Sequence, residues 1–233
     1  MTSRHPLPVH QQISEMLIRE IAAGRMLDGE KLPPEREMAA TLGIAVGTLR
    51  KALAELVRQG LLERVQGSGN YIRSKPDVAS VYAMFRLELV EGGGLPTASV
   101  LAVDSIAKPG DLPAFGASDR GHRIRRLRRL GGRPAAVEEI WLDGARAQSI
   151  DAAELSESLY LHYRKELGFW IARAEDRVGV AKIPDWAPAE FGLAPGDPAG
   201  YIERTGWAQD GGSAEYSRTW FDHKTARYVA RLR

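Results

Sequence analysis

Apolar residues recur at Val9, Ile13, Met16, Leu17 and Ile21, the i, i+4, i+7, i+8, i+12 series of one helical face. Gly24 ends that helix, and Asp28-Gly29 marks a turn after it. A second short helix is predicted after Pro33, with Pro34 in its first turn, where a missing N–H costs nothing. It faces Met38, Ala39 and Leu42 inward and stops at Gly43. A third begins near Val46, buries Leu49, Leu53 and Leu56, and stops at Gly60. Only Gly43, Ile44 and Ala45 separate the second helix from the third, and short helices so tightly joined make a helix-turn-helix. Leu61 to Val65, Gly67-Ser68-Gly69 and Tyr71-Ile72 then read as a two-stranded hairpin with a glycine tip, a wing.

Beyond Ser74-Lys75-Pro76-Asp77 the period changes to that of strands, predicted over 81–89, 97–106, 122–130, 134–142, 170–183, 199–208 and 213–222. Gly131-Gly132-Arg133 and Asp210-Gly211-Gly212 each join two of them as a hairpin. Over 152–167, Leu155, Leu159, Tyr163 and Leu167 keep a four-residue spacing, which predicts a helix lying on the sheet and ending at Gly168. A further short helix is expected near 185–192. The fold class is therefore α+β: a winged helix-turn-helix over 1–74, a linker at 75–78, and a mostly antiparallel sheet domain with helices over 79–233.

Composition narrows the classes. A chain of 233 residues divided by ~150 per domain allows one or two. No stretch approaches the ~18 uninterrupted apolar residues of a membrane span, and the start, polar and broken by proline, is no secretory signal. The expected setting is the cytoplasm, with no membrane partner. The lack of cysteine excludes disulfides, thiolate metal sites, iron–sulfur clusters and a thiol nucleophile. Net charge is +2, but residues 1–75 hold 11 Lys/Arg against 8 Asp/Glu, leaving 21 against 22 in the rest, or +3 against −1. That asymmetry directs the question of nucleic acid to the front third.

On the third helix Gly47, Arg50, Lys51 and Ala54 share the face opposite the leucines, with Thr48 at the flank. Cations and small residues at a helix start suit a major groove, where bulk would block approach and guanidinium groups meet phosphates or guanine edges. Arg36 lies in the first turn of the preceding helix, and the tip glycines, Gly67 and Gly69, have no bulk to keep the wing from a minor groove. Singly, an Arg–Lys pair is a solvated face and a glycine-tipped hairpin only a turn. Helix, tight turn, helix and wing in that order point to DNA.

LPPERE (32–37), GIAVGTLRKAL (43–53), GLL (60–62) and GSGNYI (67–72) follow one another as in the GntR family of bacterial transcription regulators, which residues 7–73 resemble. The resemblance implies operator contacts from Arg36, Thr48, Arg50 and Gly67 or Gly69. The family's Ser-Arg at the start of the recognition helix is Ala45-Val46 here, which removes a base-reading Arg worth ~1–3 kcal/mol of discrimination. Pro34 replaces the Ser that would complete a capping box with Glu37.

In the second domain Arg126 and Arg128 fall two apart on one strand and so share a face, and Glu138 comes from the strand across the hairpin. Charges facing a half-buried sheet must be paired or bind a ligand. The arginines between 120 and 129 also fit a solvated edge strand, or a second nucleic-acid patch. The segments Arg126-Leu127-Arg128, GGRPAAVEEIWL (131–142), SLYLHYRKELG (158–168) and EYSRTWFD (215–222) resemble the UTRA effector-binding domain of the HutC subfamily, similar in fold to chorismate lyase. That resemblance implies a pocket for a small anionic effector lined by Arg126, Arg128, Glu138, Ser158, Tyr160 and Glu215. A guanidinium fork takes a carboxylate or phosphate in bidentate fashion, and Ser158 adds the positive end of a helix. Departures are Met84-Phe85-Arg86 in place of a hydroxyl-bearing segment, and Phe221 in place of a Tyr. The alternative is an enzyme of that fold carrying a DNA-binding head, but five scattered histidines and no Gly-x-Ser-x-Gly elbow give no catalytic or metal constellation. The reading is a repressor that binds double-stranded operator DNA as a homodimer, responds to a small effector, and needs no cofactor.

Overall fold

The computed structural model describes residues 8–22, 26–73, 84–94, 96–155 and 158–230. They form two compact units, drawn mainly from residues 5–85 and 86–229. The expected linker at 75–78 lies outside the described residues, as does the stop at Gly24. Among the described residues no helix is long and apolar enough to cross a membrane.

The first unit contains α1 (Val9–Ala22), α2 (Glu35–Thr41), α3 (Val46–Arg58), β1 (Leu62–Val65) and β2 (Gly69–Ile72). Its core joins Ile13, Leu17 and Ile21 of α1 to Met38 and Ala39 of α2, and to Leu49, Leu53 and Leu56 of α3. Leu61, Leu62 and Ile72 close it from the wing. Pro34 is not in the first turn of α2 but one place earlier, as an extended N-cap with no side-chain bond. Its carbonyl still receives the Met38 N–H at 2.9 Å. Between α2 and α3 the chain reverses at Gly43, whose φ of 65° is cheap only for glycine, and the Ile44 N–H closes the turn on Ala39 O at 3.0 Å.

The second unit is built on one six-stranded antiparallel sheet. Its strands are β4 (Pro96–Ala107), β5 (Arg120–Leu130), β6 (Arg133–Asp143), β7 (Ile171–Lys182), β8 (Pro198–Ala208) and β9 (Ser213–Phe221), in the order β4-β5-β6-β9-β8-β7. The short β3 (Leu87–Leu89) pairs with β10 (Ala226–Tyr228) as a separate ribbon. Of the strand expected over 81–89, only Leu87–Leu89 is a strand, and 81–83 lie outside the described residues. β10 carried no period of its own at three residues; Asp222, whose carbonyl accepts from the Ala226 N–H at 2.8 Å, turns the chain into it.

Two helix expectations are corrected. The helix expected over 152–167 is the eight-residue α4 (Leu159–Glu166). Asp151 diverts the chain upstream, its side chain accepting from the Ala153 N–H at 2.8 Å and so stabilising a turn instead of a helix. The helix near 185–192 is only a 3₁₀ turn at Ala189–Phe191, since Pro184 and Pro188 remove the donors that a longer helix needs.

Register fixes what each face of the sheet carries. Arg126 stands opposite Glu138, so the charges read from the sequence do meet across the hairpin. On the other face Arg125, Glu139, Arg218, Glu203 and Arg177 stand side by side in one row across five strands, alternating in sign. An apolar cluster of Leu127, Val137, Trp220 and Ile183 flanks the row on one side, and Phe115, Trp141 and Tyr216 flank it on the other.

Candidate DNA-reading face and effector pocket

The leucine face of α3 is buried, which leaves Gly47, Arg50 and Lys51 exposed and Thr48 half-buried, as the helical period requires. Arg36 is exposed on α2. A Cβ added at Gly47 would meet nothing within 4 Å, so this chain's own packing does not require a glycine there. Such a bare position at the head of a helix suits close approach by another molecule. At the wing tip Gly67 has φ of 73° and Gly69 of 135°.

The structure gathers Arg50, Gly67 and Gly69 around one groove, lined also by Lys31, Pro34, Glu35 and Arg64. Arg36, Gly47, Thr48 and Lys51 are not among its lining residues. The sequence reading missed Lys31 and Arg64. Lys31 enters through an isolated bridge to Tyr71 that widens the wing. Arg64 was legible as a cation on a short strand, but its direction depended on the pairing of Arg64 with Asn70.

In the sheet unit Arg126 Nη2 donates to Glu138 Oε2 at 2.8 Å. Arg128 donates to the same carboxylate through Nε at 2.8 Å and Nη2 at 3.0 Å. All three residues are buried. β5 is an interior strand between β4 and β6, so neither a solvated edge nor a nucleic-acid patch describes Arg126 and Arg128. Burial opposes ionisation of Glu138, but Arg128 and Arg126 outweigh it and hold its carboxyl at about 2.

The helix α4 lies over this face. Ser158 caps it, the hydroxyl accepting from the Leu161 N–H at 3.3 Å. Tyr160 and Tyr163 both donate to the buried Glu215, at 3.1 and 2.7 Å. Burial raises the Glu215 carboxyl above its ordinary value, with Tyr163, Arg204 and Tyr160 pulling the other way. Arg126 also acts on Glu215 and on Tyr163 through its charge, which links the two clusters. Five of the six expected pocket residues are therefore bound to one another in two sets, Arg126–Arg128–Glu138 and Tyr160–Glu215. Ser158 stands at the start of the helix that carries Tyr160.

Tyr163 entered the sequence reading only as a core position, and its ring is indeed buried against Phe169 with centroids 5.0 Å apart. Its hydroxyl gives it a second role. Arg204 and Asp176 were not anticipated. Arg204 holds Asp176 through Nε at 2.5 Å and Nη2 at 2.7 Å, and the Tyr228 hydroxyl donates to the same carboxylate at 2.7 Å. The charge of Arg204 also acts on Tyr160 and Glu215, so this pair borders the expected pocket residues. Phe221 packs on Gly200, where an added Cβ would overlap its ring.

A winged helix-turn-helix followed by a sheet domain with a buried arginine cluster defines a class, and comparison with known proteins gives the family. Residues 9–72 match the model of bacterial regulatory proteins of the gntR family, and residues 92–227 match the UTRA domain. The chain is 64% identical over 227 residues, 97% of either chain, to the HTH-type transcriptional regulator SmoD of Agrobacterium fabrum. It is 27% identical to the HTH-type transcriptional repressor NagR of Bacillus subtilis, over 94% of this chain and 92% of that one. Among solved structures, the possible transcriptional regulator YydK from Bacillus subtilis shares the fold at a TM-score of 0.54 and 20% identity, covering 96% of this chain and 99% of that one. The chain belongs to the GntR family, with the UTRA domain of its HutC subfamily, and is a DNA-binding transcription regulator.

Proposed function

We propose that this regulator is a repressor. As a cytoplasmic homodimer it holds a two-fold symmetric operator through α3 and the wing, and a small anion bound beneath α4 adjusts that hold. The observation that carries the effector reading is the buried convergence of Arg126 and Arg128 on one carboxylate, on the sheet face where Tyr160 and Tyr163 of α4 hold Glu215. Guanidinium groups held in a dry interior are preorganised for a carboxylate or phosphate. Glu215, both of whose oxygens already accept from tyrosine hydroxyls, is suited to accept from a ligand's hydroxyl or amine. The chemistry is binding rather than turnover: the pocket's carboxylates are each held by guanidinium or phenol groups, and the relatives named above are regulators.

Linkage supplies the mechanism. An effector that prefers one arrangement of the dimer shifts the population away from the one matching half-sites ~34 Å apart. A hundredfold loss of operator affinity needs only ~2.7 kcal/mol of such preference. The test is a thermal-shift screen of small carboxylates and phosphate esters, followed by operator binding with each stabilising compound. A compound that raises Tm, returns chemically unchanged, and alters operator affinity supports the reading. Turnover of the compound, or stabilisation with operator affinity unchanged, overturns it.

A further inference from the structure

An acid stands in the middle of the basic DNA-facing groove. Glu35, the first residue of α2, accepts from Arg50 Nε of the recognition helix at 2.6 Å. Its other oxygen lies 3.9 Å from Arg64 Nη2 on β1 of the wing. Asn70 on β2, itself buried, accepts from Arg64 Nε at 3.3 Å. One carboxylate thus ties three elements together, and those elements line the groove in which Arg50 sits.

A carboxylate here weakens attraction to phosphate and lowers the non-specific part of DNA binding, which is almost wholly electrostatic. What it adds is direction. An arginine free on a helix surface follows the nearest phosphate, whereas one held at Nε keeps a fixed guanidinium plane and still has its two Nη groups as donors. Those two groups form the fork that reads guanine O6 and N7.

We infer that Glu35 is a positioning residue for sequence discrimination: it holds Arg50 and the wing in one arrangement, exchanging general affinity for DNA against selectivity for the operator. This rests on the reading of α3 and the wing as the DNA-contacting surface. Salt-bridge formation by itself would also be met by a residue that merely stabilises the head, so the test must separate the two.

The experiment uses the full chain and two duplexes, one selected by the wild-type protein from a random pool and one of scrambled sequence, titrated across salt concentration. In Glu35→Gln, binding to the scrambled duplex should tighten severalfold, with a salt slope steeper by about one, as one more cation meets phosphate. The ratio of selected to scrambled affinity should fall at least tenfold. In an Arg50→Ala background the same Glu35 substitution should change the ratio less than twofold, because the residue it positions is gone. A ratio unchanged in Glu35→Gln overturns the proposal, as does a parallel loss on both duplexes with a lowered Tm, or an equal effect with and without Arg50. A wild-type chain that selects no duplex at all would instead overturn the underlying assignment of the DNA-contacting surface.

Discussion

Two arginines show how differently the same side chain is used in this protein. Arg50 is exposed on α3, on the surface proposed to meet DNA. Arg126 is buried and bound to Glu138. Charge reversal in Arg50→Glu should lower operator affinity at least tenfold, measured by fluorescence anisotropy, with the circular dichroism spectrum unchanged. Binding at the wild-type level would overturn the placement of Arg50 at the interface. Glu138 predicts a pH dependence. Its folded value of about 2 lies below the ordinary 4.5, so its contribution is fully present above 4.5 and is lost as pH falls from 4.5 toward 2. The slope in that window is at most about 1.4 kcal/mol per pH unit. Urea unfolding at pH 5 and pH 3 should show that loss in the wild type and a flatter dependence in Glu138→Gln. Glu215 has the opposite sign: raised by burial, it favours the folded state most below 4.5, and that contribution falls as pH rises through its folded value. The exposure of Arg50 was legible in the sequence because the helical period alone settles it. Its partner was not, because Glu35 lies fifteen residues away and meets it only once α2 and α3 have docked.

The elements divide by how local their causes are. The three helices of the head follow from apolar spacing, with Gly43 and Gly60 just past the ends of α2 and α3, and α1 to α3 lie where that spacing puts them. The helix α4 does not, since four-residue spacing over 152–167 measures which side chains can be buried and not where the backbone bonds begin. The start is decided by Ser158, whose hydroxyl accepts from the Leu161 N–H. Ser158→Ala should therefore cost about 1 kcal/mol of stability by urea unfolding, and should weaken the response to any stabilising anion, because α4 carries Tyr160 and Tyr163 onto Glu215. A variant as stable and as responsive as the wild type would remove Ser158 from both roles. Strand pairing divides in the same way. The hairpins β5–β6 and β8–β9 were legible from their glycine turns. The pairing of β6 with β9, which places Glu138 opposite Thr219, joins segments some eighty residues apart and leaves no local mark.

At the scale of the whole chain, the two units have separate cores, and the proposed function predicts two separable activities. Substituting Arg126→Gln together with Arg128→Gln should abolish the thermal shift and the change in operator affinity caused by an effector. Operator binding without effector should stay within about threefold of the wild type. Loss of affinity for every duplex, with a shallower salt slope, would mean that these arginines contact phosphate after all. The family and its two domains were legible in ordered motifs across the chain. The expected pocket residues were legible as a set of residue types, but the bonding around them was not, because Tyr163 reaches Glu215 across 52 positions of the chain.

The row Arg125, Glu139, Arg218, Glu203 and Arg177 has a consequence for how the sheet finds its alignment. Sliding one strand by a single residue would turn its charges onto the pocket face. Sliding β5 by two along β6 would set Glu139 against Leu127 or Arg123, and the same slip between β6 and β9 would bring Arg218 against Val137 or Trp141. Only one alignment keeps the alternation of sign unbroken across all five strands. The row therefore marks the native alignment as a vernier does, closed as an ion pair at Arg125 and Glu139, and the arginine cluster on the reverse face shares that setting.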